Sequence, residues 1–176
     1  MQLENKVFLN STMIPKNRAI FLDRDGVLNK DRIDYVKNID ELEIFPNIGK
    51  CIRQINERGF LVIVITNQSA IGRKLTTSND VENIHEHIQN FLKKSNAKID
   101  AFYYCPHHPN DNCNCRKPKP GLLIKAAHDF SINLENSWMV GDHDRDIESG
   151  LNAGCKSMKV TSENPLEDIV NDILKS

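Results

Sequence analysis

The run Phe60-Leu61-Val62-Ile63-Val64-Ile65 constrains the fold of this chain more than any other stretch. An unbroken apolar series rich in β-branched residues suits a parallel strand covered on both faces. Parallel strands need long crossovers, usually helices, and the flanking sequence supplies them. Upstream, Ala19 to Leu22 reads as a first strand. Pro46 then opens a helix with Ile48, Cys51, Ile52 and Ile55 at helical spacing, and Gly59 stops it.

Downstream, Asn79 and Glu82 are spaced as a capping box, ahead of a helix with Val81, Ile84, Ile88, Phe91 and Leu92 on one face. Ile99 to Tyr104 reads as a strand, and Pro120 starts a helix carrying Leu122, Leu123, Ala126 and Ala127. Ser137 to Val140 is a short strand, Arg145 to Ala153 a helix ending on Gly154, and Lys156 to Val160 a last strand. Pro165 opens a C-terminal helix with Leu166, Ile169, Val170 and Ile173. This alternation predicts an α/β fold, a central parallel sheet wrapped on both faces. We expect one domain over residues 18–176, preceded by a polar extension or added edge segment at 1–17. Asn29 to Glu43, charged and irregular, reads as a loop long enough to reach back over the strand ends.

At 176 residues the chain can bury a real core. A net charge of −1 without a basic block argues against nucleic acid as the main partner. No apolar run approaches the ~20 residues needed to span a bilayer, and Met1 to Lys6 lacks the pattern of a secretory signal. These readings predict a cytoplasmic location, and the scarcity of exposed apolar stripes predicts a monomer. The five cysteines do not look like a disulfide framework.

Four polar groups follow four different strands: Asp23 with Asp25, Thr66 with Asn67, Arg116 with Lys117, and Asp142 with Asp144 and Asp146. Open α/β sheets bind ligands at this end. Side chains at i and i+2 of a strand point the same way, so Asp23 and Asp25 can lean together over the sheet end. An isolated Asp-x-Asp is more often an acidic turn with a capping Asp, so the other groups decide. Phosphoryl transfer needs a nucleophile, an acid for the leaving oxygen, donors and a cation for the equatorial oxygens, and a metal. Asp23, Asp25, Thr66, Lys117 and Asp142 supply each part once. The bland reading of Asp144 and Asp146 is helix N-terminal charge, and for Asp144 that reading is preferred.

Cys105-Pro106-His107-His108 and Cys113-Asn114-Cys115 form a second constellation. Cys105, His107, Cys113 and Cys115 make a Cys₃His set without an open position, which is a structural zinc pattern. His108 is the weaker ligand candidate. The alternative is a set of loose or redox-active thiols. Such a site would brace a loop poor in apolar residues and deliver Arg116 and Lys117. Cys51 and Cys155 sit in or beside apolar stretches as ordinary core residues.

These motifs resemble, in order, the four motifs of the haloacid-dehalogenase (HAD) superfamily phosphatases: Asp23-Arg24-Asp25-Gly26 after an apolar run, Ile65-Thr66-Asn67, Lys117-Pro118, and Gly141-Asp142-His143-Asp144-Arg145-Asp146. Together they cover residues 19–160. The resemblance implies a three-layer, Rossmann-like fold and attack on phosphorus by Asp23 to give an aspartyl-phosphate. It implies that Asp25 protonates the leaving alcohol and then activates water, while Thr66 and Lys117 hold the phosphoryl oxygens. Mg²⁺ would be bound by the Asp23 carboxylate, the Asp25 backbone carbonyl and Asp142, with Asp146 orienting metal-bound water.

Tyr103 to Gly121 and Thr66-Asn67-Gln68-Ser69 with Arg73 further resemble the heptose-bisphosphate phosphatase branch. That resemblance implies a minimal cap, a zinc-binding loop and a sugar bisphosphate substrate. Its contacts would be Arg24, Asp31, Asp34, Tyr35, Asn67, Gln68, Ser69, Arg73 and Arg116, with Arg116 on the second phosphate. The stretches 29–35 and 66–69 would line the pocket.

The chain departs from the branch pattern at Ala70-Ile71-Gly72-Arg73, where Gly-Ile-Ala-Arg is usual. It departs again at Asp34, where Gly precedes Tyr, and at His143, where Lys often stands. Histidinol-phosphate phosphatase is the nearest rival, with the same motifs and a similar zinc loop. A polynucleotide 3′-phosphatase shares the first two motifs but not the zinc loop. A non-catalytic zinc-stabilised binding module is disfavoured by five convergent polar groups, which carry desolvation costs.

Overall fold

The computed structural model describes residues 16–176. The expected extension therefore lies almost entirely outside the described residues. Its last two residues, Lys16 and Asn17, donate backbone hydrogen bonds to the Ser131 carbonyl at 3.0 and 3.1 Å.

Five parallel strands form the sheet: β1 (Ala19–Leu22), β2 (Leu61–Asn67), β3 (Ala101–Cys105), β4 (Trp138–Gly141) and β5 (Lys156–Lys159). Their spatial order is β3-β2-β1-β4-β5. Helices α1 (Ile48–Glu57), α3 (Ser78–Lys93), α4 (Gly121–Asp129), α5 (Asp144–Ala153) and α6 (Leu166–Lys175) supply the outer layers, and a single turn, α2 (Ser69–Gly72), follows β2. This is the three-layer α/β fold that the sequence predicts. Among the described residues no helix is long and apolar enough to cross a membrane.

Strand alternation sorts the core. Ile20 and Leu22 of β1 pack with Ile52, Ile55, Ile84, Ile88, Ile169 and Val170 on one face. Ala19 and Phe21 face the other way, onto Ile63, Leu123, Ala126 and Met139. All four β1 residues are fully buried. At about 1.5–3 kcal/mol per buried large apolar side chain, this central strand is fixed from both sides. The next residue, Asp23, is therefore rigidly placed.

Several boundaries differ from the predicted ones. β2 continues through Thr66 and Asn67, because both stay hydrogen-bonded in register with Tyr104 and Cys105. β3 starts two residues late, after the Asp100 carboxylate has accepted the Val62 N–H at 2.9 Å. The capping box of α3 is Thr77 with Asp80, not Asn79 with Glu82. Thr77 Oγ1 accepts the Asp80 N–H at 3.1 Å, and the Asp80 carboxylate accepts the Thr77 N–H at 3.2 Å. The turn α2 carries no apolar period and was not foreseen.

The chain runs outward from β1 through β2 to β3, then crosses back to β4 on the other flank of β1. The carboxyl ends of β1 and β4 mark that reversal, the crevice where open α/β sheets hold ligands. Asp23 donates its N–H to the Val140 carbonyl there, at 2.9 Å.

Candidate active site

Residues 23–29 leave β1 as a tight turn closed on one atom. The Arg24 carbonyl accepts the N–H groups of Val27, Leu28 and Asn29 at 3.3, 2.8 and 3.3 Å. Gly26 has φ +82°, and a Cβ there would stand 2.1 Å from Asp142 Oδ2. Only glycine allows both that backbone and that approach. The Asp142 carboxylate consequently lies against the Asp25–Gly26 backbone.

Asp23 is 4 % exposed. Its Oδ1 accepts the Arg24 N–H at 2.7 Å and stands 3.0 Å from Lys117 Nζ. Burial pushes its carboxyl from 3.8 up to about 6, against the opposing pull of Lys117 and with a further push from Asp146 and Asp25. Lys117 is itself buried. Its Nζ donates to the Ile65 carbonyl at 2.7 Å and stands 2.7 Å from Asp146 Oδ1. One ammonium thus serves two carboxylates.

Asn67 ties this lysine to the end of β2. Its Oδ1 accepts the Lys117 N–H at 3.1 Å, and its Nδ2 donates to the Lys117 carbonyl at 3.2 Å. Asp146 caps α5 by accepting the His143 N–H at 3.0 Å. Asp144 points to solvent and pairs with Lys159 at 2.6 Å, as the bland reading holds.

Asp25 is gripped by three side chains. Arg24 Nε and Nη2 reach Oδ1 at 3.1 and 2.9 Å, and Nη2 also reaches Oδ2 at 2.9 Å. Asn29 Nδ2 adds a bond to Oδ1 at 2.9 Å, and Gln68 Nε2 one to Oδ2 at 3.0 Å. Burial raises the Asp25 carboxyl, but the Arg24 charge and these hydrogen bonds outweigh it and hold it below the ordinary value. Gln68 Nε2 also donates to Thr66 Oγ1 at 2.9 Å.

A cavity of about 270 Å³ opens above these groups, lined by Asp23, Asp25, Asp31, Arg32, Ile33, Tyr35, Thr66, Asn67, Ser69, Arg73, Pro109, Arg116, His143 and Arg145. The predicted pocket stretches therefore do converge, with three exceptions. Arg24 is fully buried, absent from the lining, and its guanidinium is taken up by Asp25. Gln68 is buried behind Thr66 and does not reach the cavity. Asp34 points outward and pairs with Arg32 and Lys37 at 3.2 and 2.8 Å. Those three expected substrate contacts are corrected. Lys117 is buried behind the cavity wall, and Asp142, half-buried, is not part of the lining.

Sequence reasoning did not place Pro109 or Arg145 in the site, and it marked His143 only as a departure from the family pattern near the metal. The signal for Arg145 was its position in the first turn of α5, directly after the fourth motif's acids. Arg73, Arg116 and Arg145 have no acid partner among the described residues, and Arg116 Nη1 is buried without a hydrogen-bond partner.

Among the described residues, two clusters have metal-ligating chemistry. Asp142, His143 and Asp146 bring ligand atoms together beside Asp23. The oxygen donors there suit a hard cation, and the cost of ionising buried Asp23 is what a cation would offset. The second cluster is Cys105, His107, Cys113 and Cys115. Its separations are 3.5 Å for Cys105–Cys113, 3.4 Å for Cys113–Cys115, 3.6 Å for Cys105–His107 and 3.1 Å for His107–Cys115. Zinc–sulfur bonds of about 2.3 Å in a tetrahedron give edges of about 3.8 Å, so the cage is nearly formed. His108 instead caps the following turn, its Nδ1 accepting the Asn110 N–H at 3.2 Å. Gly72 admits this loop: a Cβ there would lie 2.3 Å from the His108 nitrogen.

The family model described as HAD-hydrolase-like matches residues 114–172. The D-glycero-beta-D-manno-heptose-1,7-bisphosphate 7-phosphatase of a Helicobacter pylori strain is 41% identical over 156 residues, 88% of this chain and 89% of that protein. The chain belongs to this family of HAD-type phosphoric monoester hydrolases. A Campylobacter jejuni member, named for the alpha anomer, is 37% identical over 86% of this chain and 87% of its own length. The crystal structure of D,D-heptose 1,7-bisphosphate phosphatase from B. bronchiseptica, complexed with magnesium and phosphate, superposes with a TM-score of 0.84 at 29% identity, covering 90% of this chain and 98% of that one. The heptose-bisphosphate phosphatase fold is thus present here over nearly its full extent.

Proposed function

We propose that this chain removes the 7-phosphate of D-glycero-D-manno-heptose 1,7-bisphosphate, with Asp23 as the nucleophile. The observation that carries the reading is the charge of the cavity. Beside Asp23, Asp25 and Thr66, the lining carries Arg32, Arg73, Arg116 and Arg145 against one further acid, Asp31, and Arg73, Arg116 and Arg145 have no acid partner among the described residues. A substrate with a second phosphate fits that set. Histidinol phosphate carries an ammonium group, which the three guanidiniums would repel. The orphaned Arg116 Nη1 is the contact we assign to the second phosphate.

In the chemical step, an Asp23 oxygen forms a bond to phosphorus while the ester oxygen leaves with a proton from Asp25, which is ionised in the free site and takes up that proton as the phosphate ester binds. Water then gives a proton to Asp25 and displaces Asp23, releasing phosphate. Thr66 Oγ1 holds a transferring oxygen, and Lys117, buried behind the cavity, acts on the phosphoryl group through the Asp23 carboxylate it pairs with. Mg²⁺, held by the Asp23 carboxylate, the Asp25 carbonyl and Asp142, would supply charge neutralisation at the phosphoryl group. Asp146 steers this end indirectly, through Lys117 and the His143 N–H. Zinc at Cys105, His107, Cys113 and Cys115 would be structural, fixing the loop that presents Arg116 and Lys117. The five unpaired cysteines suit a reducing, cytoplasmic setting. We take the acting form to be a monomer.

The test is phosphate release, with Mg²⁺, from both anomers of the bisphosphate and from histidinol phosphate side by side, with Asp23→Asn as control. A higher kcat/KM on the bisphosphate is expected, and Arg116→Ala should lower it about 10- to 100-fold, the range of a lost charge-assisted hydrogen bond. Preference for histidinol phosphate would overturn the substrate and leave the chemistry intact.

A further inference from the structure

The middle residue of the Asp23-Arg24-Asp25 motif has no route to substrate. Arg24 is 0 % exposed, and its guanidinium lies against the carboxylate of the residue that follows it. Nε and Nη2 hold that carboxylate by three contacts of 2.9–3.1 Å. The planar fork of an arginine fixes both the position and the plane of a carboxylate in a way an ammonium cannot. Asn29 and Gln68 close the remaining directions. The Arg24 carbonyl, meanwhile, closes the turn that carries Asp25. A buried charge with so specific a grip needs a reason beyond stability, since buried ion pairs are weak stabilisers.

We propose that Arg24 is a positioning residue for proton transfer. It holds the Asp25 carboxyl where the leaving oxygen departs, and it contributes nothing directly to binding the phosphoryl group. This rests on the phosphatase reading above and names a function within it that sequence position alone did not.

The role separates from a merely structural one by leaving group. An alkoxide must be protonated as it leaves, whereas p-nitrophenolate leaves without a proton. The parameter to read is kcat/KM, which covers only the steps up to alcohol release, so hydrolysis of the aspartyl-phosphate drops out. The ratio of kcat/KM for a sugar phosphate to that for p-nitrophenyl phosphate, measured on one preparation, is also independent of the fraction of protein that is folded.

General acid catalysis is typically worth about 10²–10⁴-fold. Arg24→Met in the full-length protein with Mg²⁺ should therefore lower kcat/KM on the sugar ester by about 100-fold, and on the nitrophenyl ester by less than about 5-fold. Arg24→Lys, which keeps the charge and loses the fork, should fall between, as should Gln68→Met. Ratios within about two-fold of the wild-type value in all three variants would overturn the positioning role alone. Absence of Asp23-dependent release from either ester in the wild type would remove the phosphatase reading, and this proposal with it.

Discussion

Replacing the proposed nucleophile should make the metal-free protein more stable. Asp23 and Asp146 share the one Lys117 ammonium, at 3.0 and 2.7 Å, so the buried group carries an excess negative charge. Burial is the main cause that lifts the Asp23 carboxyl from 3.8 to about 6. At about 1.36 kcal/mol per pH unit, holding it ionised in the folded state costs on the order of 3 kcal/mol. The sign follows from linkage. The folded carboxyl binds its proton more tightly than the unfolded one, so its contribution is fully present below pH 3.8 and is lost as pH rises through about 6.

Asparagine does not titrate, and its Oδ1 can still accept the Arg24 N–H. Asp23→Asn also leaves Lys117 and Asp146 as a balanced pair. Without Mg²⁺ at pH 7.5, the variant should gain about 3 kcal/mol, or about 6–12 °C in Tm for a chain of this size. The gain should vanish toward pH 4. Urea denaturation over a pH series measures it. Added Mg²⁺ should then stabilise the wild type more than the variant, because only the wild type has the charge to offset. A variant no more stable than wild type at pH 7.5, or a difference that stays constant between pH 4 and 7.5, would refute the argument.

The same charge arrangement predicts the opposite outcome for Lys117→Met, which strands two buried carboxylates. Urea denaturation at pH 7.5 should show a loss of about 3–5 kcal/mol, with phosphate release abolished. Cys115→Ser, or treatment with a strong zinc chelator, should lower Tm and abolish Mg²⁺-supported activity, because Arg116 and Lys117 directly follow the cage; zinc content by elemental analysis should fall in parallel. Gly26→Ala needs a Cβ 2.1 Å from Asp142 Oδ2 at φ +82°. It should raise the Mg²⁺ concentration for half-maximal activity about 10- to 100-fold.

The sheet was legible because its strands are written in unbroken apolar runs, and a parallel sheet covered on both faces leaves no other reading for Phe60 to Ile65. The acids at the strand ends were legible for a related reason: each follows such a run at once, so the strand end fixes it. The Cys/His cluster was equally plain, since Cys105, His107, Cys113 and Cys115 fall within eleven residues and meet in space. Legibility failed where hydrogen bonding, rather than hydrophobic pattern, sets the structure. The Thr77–Asp80 cap was misplaced because an Asn and a Glu with the right spacing stand two residues further on. The turn Ser69–Gly72 has no apolar period. Asp34 was given to the substrate, yet it is occupied by Lys37 and Arg32, neighbours whose claim on it no motif records.

Arg24 is the instructive error, because the strand rule that suggested its neighbours does not reach it. β1 ends at Leu22, and residues 23–29 form a tight turn closed on the Arg24 carbonyl. Asp23 and Asp25 both line the cavity, while Arg24 is fully buried between them. An arginine there arrives with a charge that cannot be left unpaired in the interior, and Asp25 is the carboxylate it meets. Reading Arg24 as a substrate contact treated a positive charge near a phosphate site as sufficient. Burial excludes that contact, and the pairing with Asp25 points instead to a guanidinium that acts on the substrate only through the aspartate it holds.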